Sequence, residues 1–259
     1  RITYDEGFAY SSNVAATYLS FKLGRDKLFE FYDKAGFGKK TGITLPGEVT
    51  GDIDFTYKTE VATASFGQGV TTTPIQNIQG LTIIANDGTM LKPYIVDKIV
   101  DTNTGKVTYQ GGREEVSKVT SKETTDKMRS LMYDVVYSGK TDAKFYQPSN
   151  VSMIGKTGTA QITGSNGYLT GQYDYIRSFA GLFPAEDPKY IIYISTKQFV
   201  GSIRKVADAV KTVVEEVAKY KNIVTIGTDV DKSQMITLDS FLNTLVIETD
   251  KNLKYLKLN

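Results

Sequence analysis

Gly155-Lys156-Thr157-Gly158-Thr159-Ala160-Gln161 is the stretch that decides the fold. It lies inside an apolar, β-branched segment, residues 151–162, and two similar segments follow at residues 176–183 and 190–196. Short segments of this composition are typical of strands. The linker between the last two, residues 184–188, is so short that it favours antiparallel pairing. We therefore predict an antiparallel sheet that carries the Lys-Thr-Gly sequence on one of its strands.

Helical patterns surround the predicted strands. Five valines recur at helical intervals after the third strand, namely Val206, Val210, Val213, Val214 and Val217. They predict a helix that should lie across the sheet. Further helices are predicted for residues 12–23 and 26–35. Two more are predicted to begin at Pro74 and just after residue 120. Residues 94–101 and 106–110 are expected to form a hairpin. The fold class is therefore α/β, with helices on both faces of an antiparallel sheet.

Composition excludes several kinds of catalytic site. The 259 residues contain no cysteine and no histidine, so disulfides, thiolate metal sites, cysteine nucleophiles and imidazole general bases are all ruled out. A net charge of +2 provides no strong field for nucleic acid. If the chain takes part in acyl transfer, its proton carrier must be a lysine, a carboxylate or a tyrosine.

A second short motif, Ser11-Ser12-Asn13, stands directly before a predicted helix. On its own it is typical of a helix N-cap. The Lys-Thr-Gly tripeptide is equally unspecific, since a second copy occurs at Lys40-Thr41-Gly42 in a loop-like stretch. Neither motif indicates a function when it is taken alone.

Taken together and in this order, the two motifs resemble those of the transpeptidase domain of monofunctional, class B penicillin-binding proteins. Tyr10-Ser11-Ser12-Asn13-Val14 is similar to the family's second motif, and residues 155–161 are similar to its third. Further similar segments occur in the family's order, at residues 41–48, 65–69, 73–76, 84–88 and 175–181. The resemblance implies that residues 1–222 are the C-terminal part of a transpeptidase domain, with the serine β-lactamase-like fold and incomplete at the N-terminus.

The resemblance also implies an activity, namely cross-linking of peptidoglycan by a D,D-transpeptidase that forms an acyl-serine intermediate and binds penicillin covalently. The family's nucleophile is the serine of an S-x-x-K motif that precedes the second motif. Only ten residues precede Ser11 and none is a serine, so we expect the nucleophile upstream and this chain alone to be inactive. Ser202-Ile203-Arg204-Lys205 matches the pattern, but it starts the closing helix and we interpret it as coincidental surface sequence.

By the same resemblance, Ser11, Asn13 and Lys156 are the expected catalytic residues. Ser11 would relay a proton toward the leaving or incoming amine. Asn13, with an amide donor and an acceptor, would hold the peptide backbone of the substrate. Lys156 would supply positive charge that attracts the terminal carboxylate of a D-Ala-D-Ala peptide or of a β-lactam.

Five further residues are expected to bind the substrate. Thr157 and Thr159 would offer hydroxyls to the same carboxylate, and the Thr159 N–H would form half of an oxyanion hole. Gly158 would leave room for a ligand laid alongside an edge strand. Gln68 and Gly69 would shape the floor of the cleft, although a simple helix-entry turn explains them equally well.

The expected partners are peptidoglycan stem peptides, β-lactam antibiotics, the upstream half of the same domain, and division or elongation proteins. No metal, no organic cofactor and no nucleic acid is implied. The intact protein is expected at the extracytoplasmic face of the bacterial cell membrane, anchored by an upstream segment. Residues 223–259 are predicted to be a linker followed by a partial PASTA module, to which residues 236–241 are similar, or else an ordinary αβ tail.

Two alternatives to the transpeptidase remain open. A serine β-lactamase or D,D-carboxypeptidase shares the fold and motifs but delivers the acyl group to water, so turnover of penicillin would identify it. A β-lactam sensor or a non-catalytic wall-binding pseudo-enzyme would lack S-x-x-K in its upstream sequence.

Overall fold

The computed structural model describes residues 2–223. Its helices are α1 (Tyr4–Ala9), α2 (Asn13–Leu23), α3 (Arg25–Lys34), α4 (Lys58–Ala64), α5 (Pro74–Ala85), α6 (Lys122–Tyr137) and α7 (Ile203–Tyr220), with a 3-10 helix at Asp142–Tyr146. Its strands are β1 (Thr89–Leu91), β2 (Lys98–Val100), β3 (Val107–Gln110), β4 (Glu115–Lys118), β5 (Ile154–Gln161), β6 (Thr163–Gly164), β7 (Gly167–Tyr168), β8 (Tyr175–Phe183) and β9 (Tyr190–Lys197).

A three-stranded antiparallel sheet, in the order β5-β8-β9, forms the centre of the described structure. Lys156 lies opposite Ala180, and Thr157 lies opposite Phe179. Since β5 is the first strand in the order of this sheet, the Lys-Thr-Gly segment runs along an edge strand. The predicted strands and their antiparallel pairing are confirmed. Gly155 is required where β5 passes β8, because a Cβ there would lie 2.4 Å from the Phe179 ring.

Helices cover both faces of this sheet, as predicted. On one face, α7 buries Val210 and Val214 against Phe179 and Phe183. On the other, Met132 of α6 packs with Ile154 and Leu182, and the partly buried side chains around them include Leu81 and Ile84 of α5. Side chains alternate between the faces of a strand, so Lys156, two residues after Ile154, lies on the face covered by α5 and α6.

Helix α2 confirms the predicted helix at residues 12–23, but its apolar spacing does not mark a buried face. The side chains of Val14, Tyr18, Leu19 and Leu23 are between 44% and 81% exposed. Apolar side chains that recur at helical intervals usually pack against a core. Here they form an exposed apolar surface, to which Tyr10 at the end of α1 adds.

The second Lys-Thr-Gly copy lies in a loop, as expected, and a nearby carboxylate holds it. Glu48 accepts hydrogen bonds from the backbone N–H groups of Thr41 (2.6 Å) and Gly42 (3.1 Å) and from the Thr41 hydroxyl. Burial raises the pKa of Glu48, but these hydrogen bonds outweigh it and leave the pKa below its ordinary value. The second copy therefore stabilises a loop and is not part of strand β5.

The described part also contains three small two-stranded pairs. The predicted hairpin is confirmed as the β2–β3 pair, while the β1–β4 and β6–β7 pairs were not predicted.

Within residues 2–223, no helix combines the length and the hydrophobicity needed to span a bilayer. The PASTA prediction for residues 223–259 falls almost wholly outside the described residues and stays a prediction.

Candidate active site

The turn between α1 and α2 separates the roles of two adjacent serines. Ser12 is the N-cap of α2, since its Oγ accepts a hydrogen bond from the Ala15 N–H at 3.3 Å. Ser11 has a left-handed backbone, with φ of 53°, and its N–H donates to the Phe8 carbonyl at 3.1 Å. The N-cap interpretation therefore holds for Ser12, while the Ser11 hydroxyl remains free to face another element.

Lys156 on β5 meets that hydroxyl. Its Nζ donates a hydrogen bond to Ser11 Oγ and another, of 3.0 Å, to the Thr157 carbonyl. The ring of Phe8 lies under the same ammonium group, with its centroid 5.8 Å from Nζ. The structure thus brings together the two expected catalytic residues that are 145 positions apart in the chain.

Burial lowers the pKa of Lys156 to about 8, because the charged form loses hydration. At pH 7, a pKa of about 8 leaves roughly one molecule in ten with a neutral amine. The side chain is therefore mostly a cation at neutral pH, but it releases its proton far more readily than an exposed lysine. A group of this kind can attract a carboxylate and also exchange protons with a neighbouring hydroxyl.

The other expected residues of the two motifs lie around this pair. Asn13 occupies the first position of α2, where it is exposed. The pairing of β5 with β8 places Thr157 and Thr159 on the sheet face opposite to Lys156. A ligand that touches Lys156 and both threonines must therefore run along the free edge of β5, from which both faces can be reached.

Gln68, Gly69, Gly158 and Thr159 line a cavity of about 1280 Å³ between the sheet, α5 and α6. Gln68 and Gly69 lie in the loop between α4 and α5, so the helix-entry interpretation also fits them. The Gln68 Oε1 atom is buried, and no hydrogen-bond partner for it exists among residues 2–223. Gln68 is thus a cavity-lining residue whose buried acceptor atom no described residue satisfies.

The sequence pattern did not single out Phe8. It precedes Ser11 by three residues and belongs to α1, a short helix that was not predicted. Its ring packs against the cluster of Met132, Ile154 and Leu182 beneath the sheet. The only signal in the sequence was its closeness to the second motif.

The geometry has a counterpart among known proteins. Residues 1–215 match the family model described as the penicillin binding protein transpeptidase domain. The chain belongs to this family. The resemblance inferred from the two motifs and their order is thereby confirmed.

Individual relatives agree with the family assignment. The chain is 36% identical to stage V sporulation protein D of Bacillus subtilis over 205 residues, which is 78% of this chain and 31% of that protein. The crystal structure of penicillin binding protein 2X from Streptococcus thermophilus aligns with a TM-score of 0.78 and 29% identity, over 83% of this chain and 33% of that one. Penicillin binding protein 3 of Mycobacterium tuberculosis, solved with aztreonam, aligns with a TM-score of 0.76 and 26% identity, over 86% of this chain and 52% of that one. The chain thus spans about a third of the length of the curated relatives that it matches.

The S-x-x-K match at Ser202 does not belong to this site. Ser202 is the exposed N-cap of α7, and its Oγ accepts a hydrogen bond from the Arg204 N–H at 3.3 Å. Ser202 and Lys205 are both exposed. This placement agrees with the interpretation of the match as coincidental surface sequence.

Proposed function

We propose that this chain forms part of a peptidoglycan D,D-transpeptidase whose acyl-serine nucleophile lies upstream. The observation that carries the proposal is the contact between Ser11 and Lys156, since it joins the two segments that resemble the family's second and third motifs. The membership of the family supports the same activity. The whole protein's activity and partners are part of this proposal.

In the proposed reaction, Lys156 draws the substrate's terminal carboxylate to the free edge of β5. A lysine whose pKa is about 8 is mainly positive at neutral pH, so it provides this attraction in its resting state. Asn13 at the start of α2 holds the peptide backbone, and the hydroxyls of Thr157 and Thr159 bind carboxylate oxygens. Gly158 leaves the cavity side of the strand open, since a Cβ there would lie 2.6 Å from the Ser178 hydroxyl, and the ligand lies alongside β5 as an added strand.

Ser11 then carries a proton between the two halves of the reaction. The upstream serine gives its proton to the lysine of its S-x-x-K motif as its Oγ attacks the penultimate D-alanine carbonyl. The amide C–N bond then breaks, and the terminal D-alanine leaves as an amine that takes this proton through Ser11. An acceptor amine next attacks the acyl-serine ester, returns its proton by the same route and releases the serine. The Thr159 N–H stabilises the oxyanion in both steps, a contribution of about 3 kcal/mol in comparable sites. With β-lactams, the ring opens and the acyl-serine adduct persists.

The upstream half of the domain is the partner that completes this site. The exposed apolar side chains of α2 and the cavity beside the sheet both offer contacts for additional polypeptide. Gln68 and Gly69 would then contact that segment and shape the floor of the cleft. The intact protein would work at the extracytoplasmic face of the membrane, anchored upstream, together with division or elongation proteins.

A fluorescent penicillin followed by intact-mass measurement tests the proposal. The chain is incubated alone and together with the polypeptide encoded ahead of it. We expect a covalent adduct only in the second case, located on the serine of an S-x-x-K segment. Ser11→Ala and Lys156→Met should each slow its formation by at least about 100-fold, the scale of a lost general acid–base or charge-stabilising group.

Ser202→Ala is the matched control, because it removes the serine of the coincidental S-x-x-K match on α7. Its adduct should form at the wild-type rate. An adduct on the chain alone would place the nucleophile within these residues and refute the split arrangement. Rapid hydrolysis of the adduct would instead identify a β-lactamase or carboxypeptidase, and no adduct in a folded mixture would identify a sensor or pseudo-enzyme.

A further inference from the structure

Phe8 touches both members of the Ser11–Lys156 pair. Its backbone carbonyl accepts the Ser11 N–H at 3.1 Å, and the adjacent Gly7 carbonyl accepts the Ser12 N–H at 2.8 Å. Its ring centroid lies 5.8 Å from Lys156 Nζ. One residue therefore connects the turn that presents the hydroxyl to the side chain that binds it.

The ring is itself held from below. Phe8 packs against the apolar cluster of Met132, Ile154 and Leu182, and Ile154 shares a sheet face with Lys156. Phe8 therefore contacts both the apolar cluster and the Lys156 ammonium group. Close approach of α1 and α2 fixes the helix that carries Phe8, since a Cβ on Gly7 would lie 2.9 Å from the Ala15 Cβ.

From this geometry we propose that Phe8 is a positioning residue for the transpeptidase site, holding the Lys156 ammonium group against Ser11 by shielding it from water. The inference rests on the proposed function, because it assigns to Phe8 the positioning of the Ser11–Lys156 pair in the proposed transpeptidase site. Phe8 touches no reacting atom in this role. It acts only through Lys156 and Ser11.

Two effects of the ring on the pKa of Lys156 oppose each other. A cation over an aromatic face is stabilised, but at 5.8 Å, near the limit of such contacts, this raises a lysine pKa by less than about one. Exclusion of water acts the other way, and burial takes the pKa of Lys156 from 10.5 to about 8. The surroundings of Lys156, to which the ring belongs, therefore lower the pKa on balance.

Other charges around Lys156 do not explain the lowered pKa. Within residues 2–223, no carboxylate forms an ion pair with it, and burial is the one cause of the change. The Glu6 carboxylate of α1 is engaged by Thr3 and lies 3.6 Å from the Lys140 ammonium group. On β8, the residue opposite Lys156 is the uncharged Ala180. The apolar surroundings, to which Phe8 contributes, are thus the feature to perturb.

The experiment titrates Lys156 in the full 259-residue chain. Acetic anhydride labels lysines in proportion to their neutral amine, so mass spectrometry of the Lys156 peptide across pH 6–11 yields its pKa. We expect Phe8→Ala to raise this pKa by at least about one, toward 10.5, because water reaches Nζ. Phe8→Leu, which keeps apolar bulk without the ring, should raise it by less than half as much.

Phe21→Ala on the exposed side of α2 is the matched control, and it should leave the Lys156 pKa unchanged. Near-UV circular dichroism establishes that each variant is folded, and Phe8→Val replaces the alanine variant if the latter is not. A Lys156 pKa in a folded Phe8→Ala protein that stays within about 0.3 of wild type, or falls, would overturn the proposal. This titration needs no nucleophile and no penicillin, so its failure is distinguishable from failure of the proposed function.

Discussion

Replacing Lys156 by methionine should change the pH dependence of folding in a way that can be calculated from the structure. Burial lowers the lysine pKa to about 8 in the folded chain, against 10.5 for the ordinary side chain. Because the unfolded chain binds more protons between these two values, the free energy of unfolding of the wild type rises with pH through that window. Methionine has a similar length, no charge and no proton to exchange, so this contribution disappears.

The pKa difference sets the magnitude. A difference of about 2.5, from 10.5 to about 8, corresponds to at most about 3.4 kcal/mol at 1.36 kcal/mol per pKa unit. Between pH 7 and pH 9.5 the wild type should gain about 2 kcal/mol relative to Lys156→Met, because the folded lysine is almost fully deprotonated at the upper value while the unfolded one is not. At pH 7 the lysine is mostly protonated in both the folded and the unfolded chain. Burial of its ammonium group therefore lowers the free energy of unfolding of the wild type by nearly the full amount.

Urea unfolding followed by circular dichroism at pH 7 and pH 9.5 measures the two free energies for each protein. Lys205→Met, on the exposed face of α7, controls for the general effect of losing a lysine. Profiles for wild type and Lys156→Met that run parallel within about 0.5 kcal/mol would refute the reasoning. They would mean that Nζ is hydrated in the folded chain and that its contact with Ser11 does not require burial.

Three further substitutions test other parts of the structure. Ser11→Gly should be about 1 kcal/mol more stable than Ser11→Ala in urea unfolding, because both lose the hydroxyl that Lys156 contacts and only glycine relieves the left-handed backbone; equal stabilities of the two variants would contradict the assigned turn. Gly155→Ala should destabilise by at least about 2 kcal/mol, since its Cβ would lie 2.4 Å from the buried Phe179 ring, and an unchanged thermal midpoint would show that β5 and β8 are farther apart. Gln76→Leu should cost about 2 to 4 kcal/mol, because two backbone carbonyls that its amide reaches at 2.6 Å would lose their donor; a smaller cost would indicate that water replaces it.

Sequence alone was sufficient for the features that depend on neighbouring residues. Periodicity and turn composition predicted β5, β8, β9 and α7, because the alternation of a strand and the stripe of a helix are written within a few residues. The N-cap at Ser12 belongs to the same class, since its bond to the Ala15 N–H spans three residues. The order of the two motifs was sufficient for the family.

Sequence alone did not determine which apolar residues would be buried. The helical spacing of apolar residues in α2 looks like that in α7, but α7 buries its stripe under the sheet while Val14 and Tyr18 are exposed. Periodicity records that a face is apolar and says nothing about what covers it. Only the arrangement of the elements decides that.

The candidate site likewise depended on tertiary structure. The two adjacent serines have the same side chain, and only the fold shows that the Ser11 hydroxyl faces a lysine 145 positions away. The lowered Lys156 pKa and the role proposed for Phe8 arise from burial, which the packing of α1 and β5 creates. Local hydrogen bonds and side-chain periodicity act over a few residues and are therefore encoded in sequence, whereas desolvation and contact between distant segments exist only once the chain has packed.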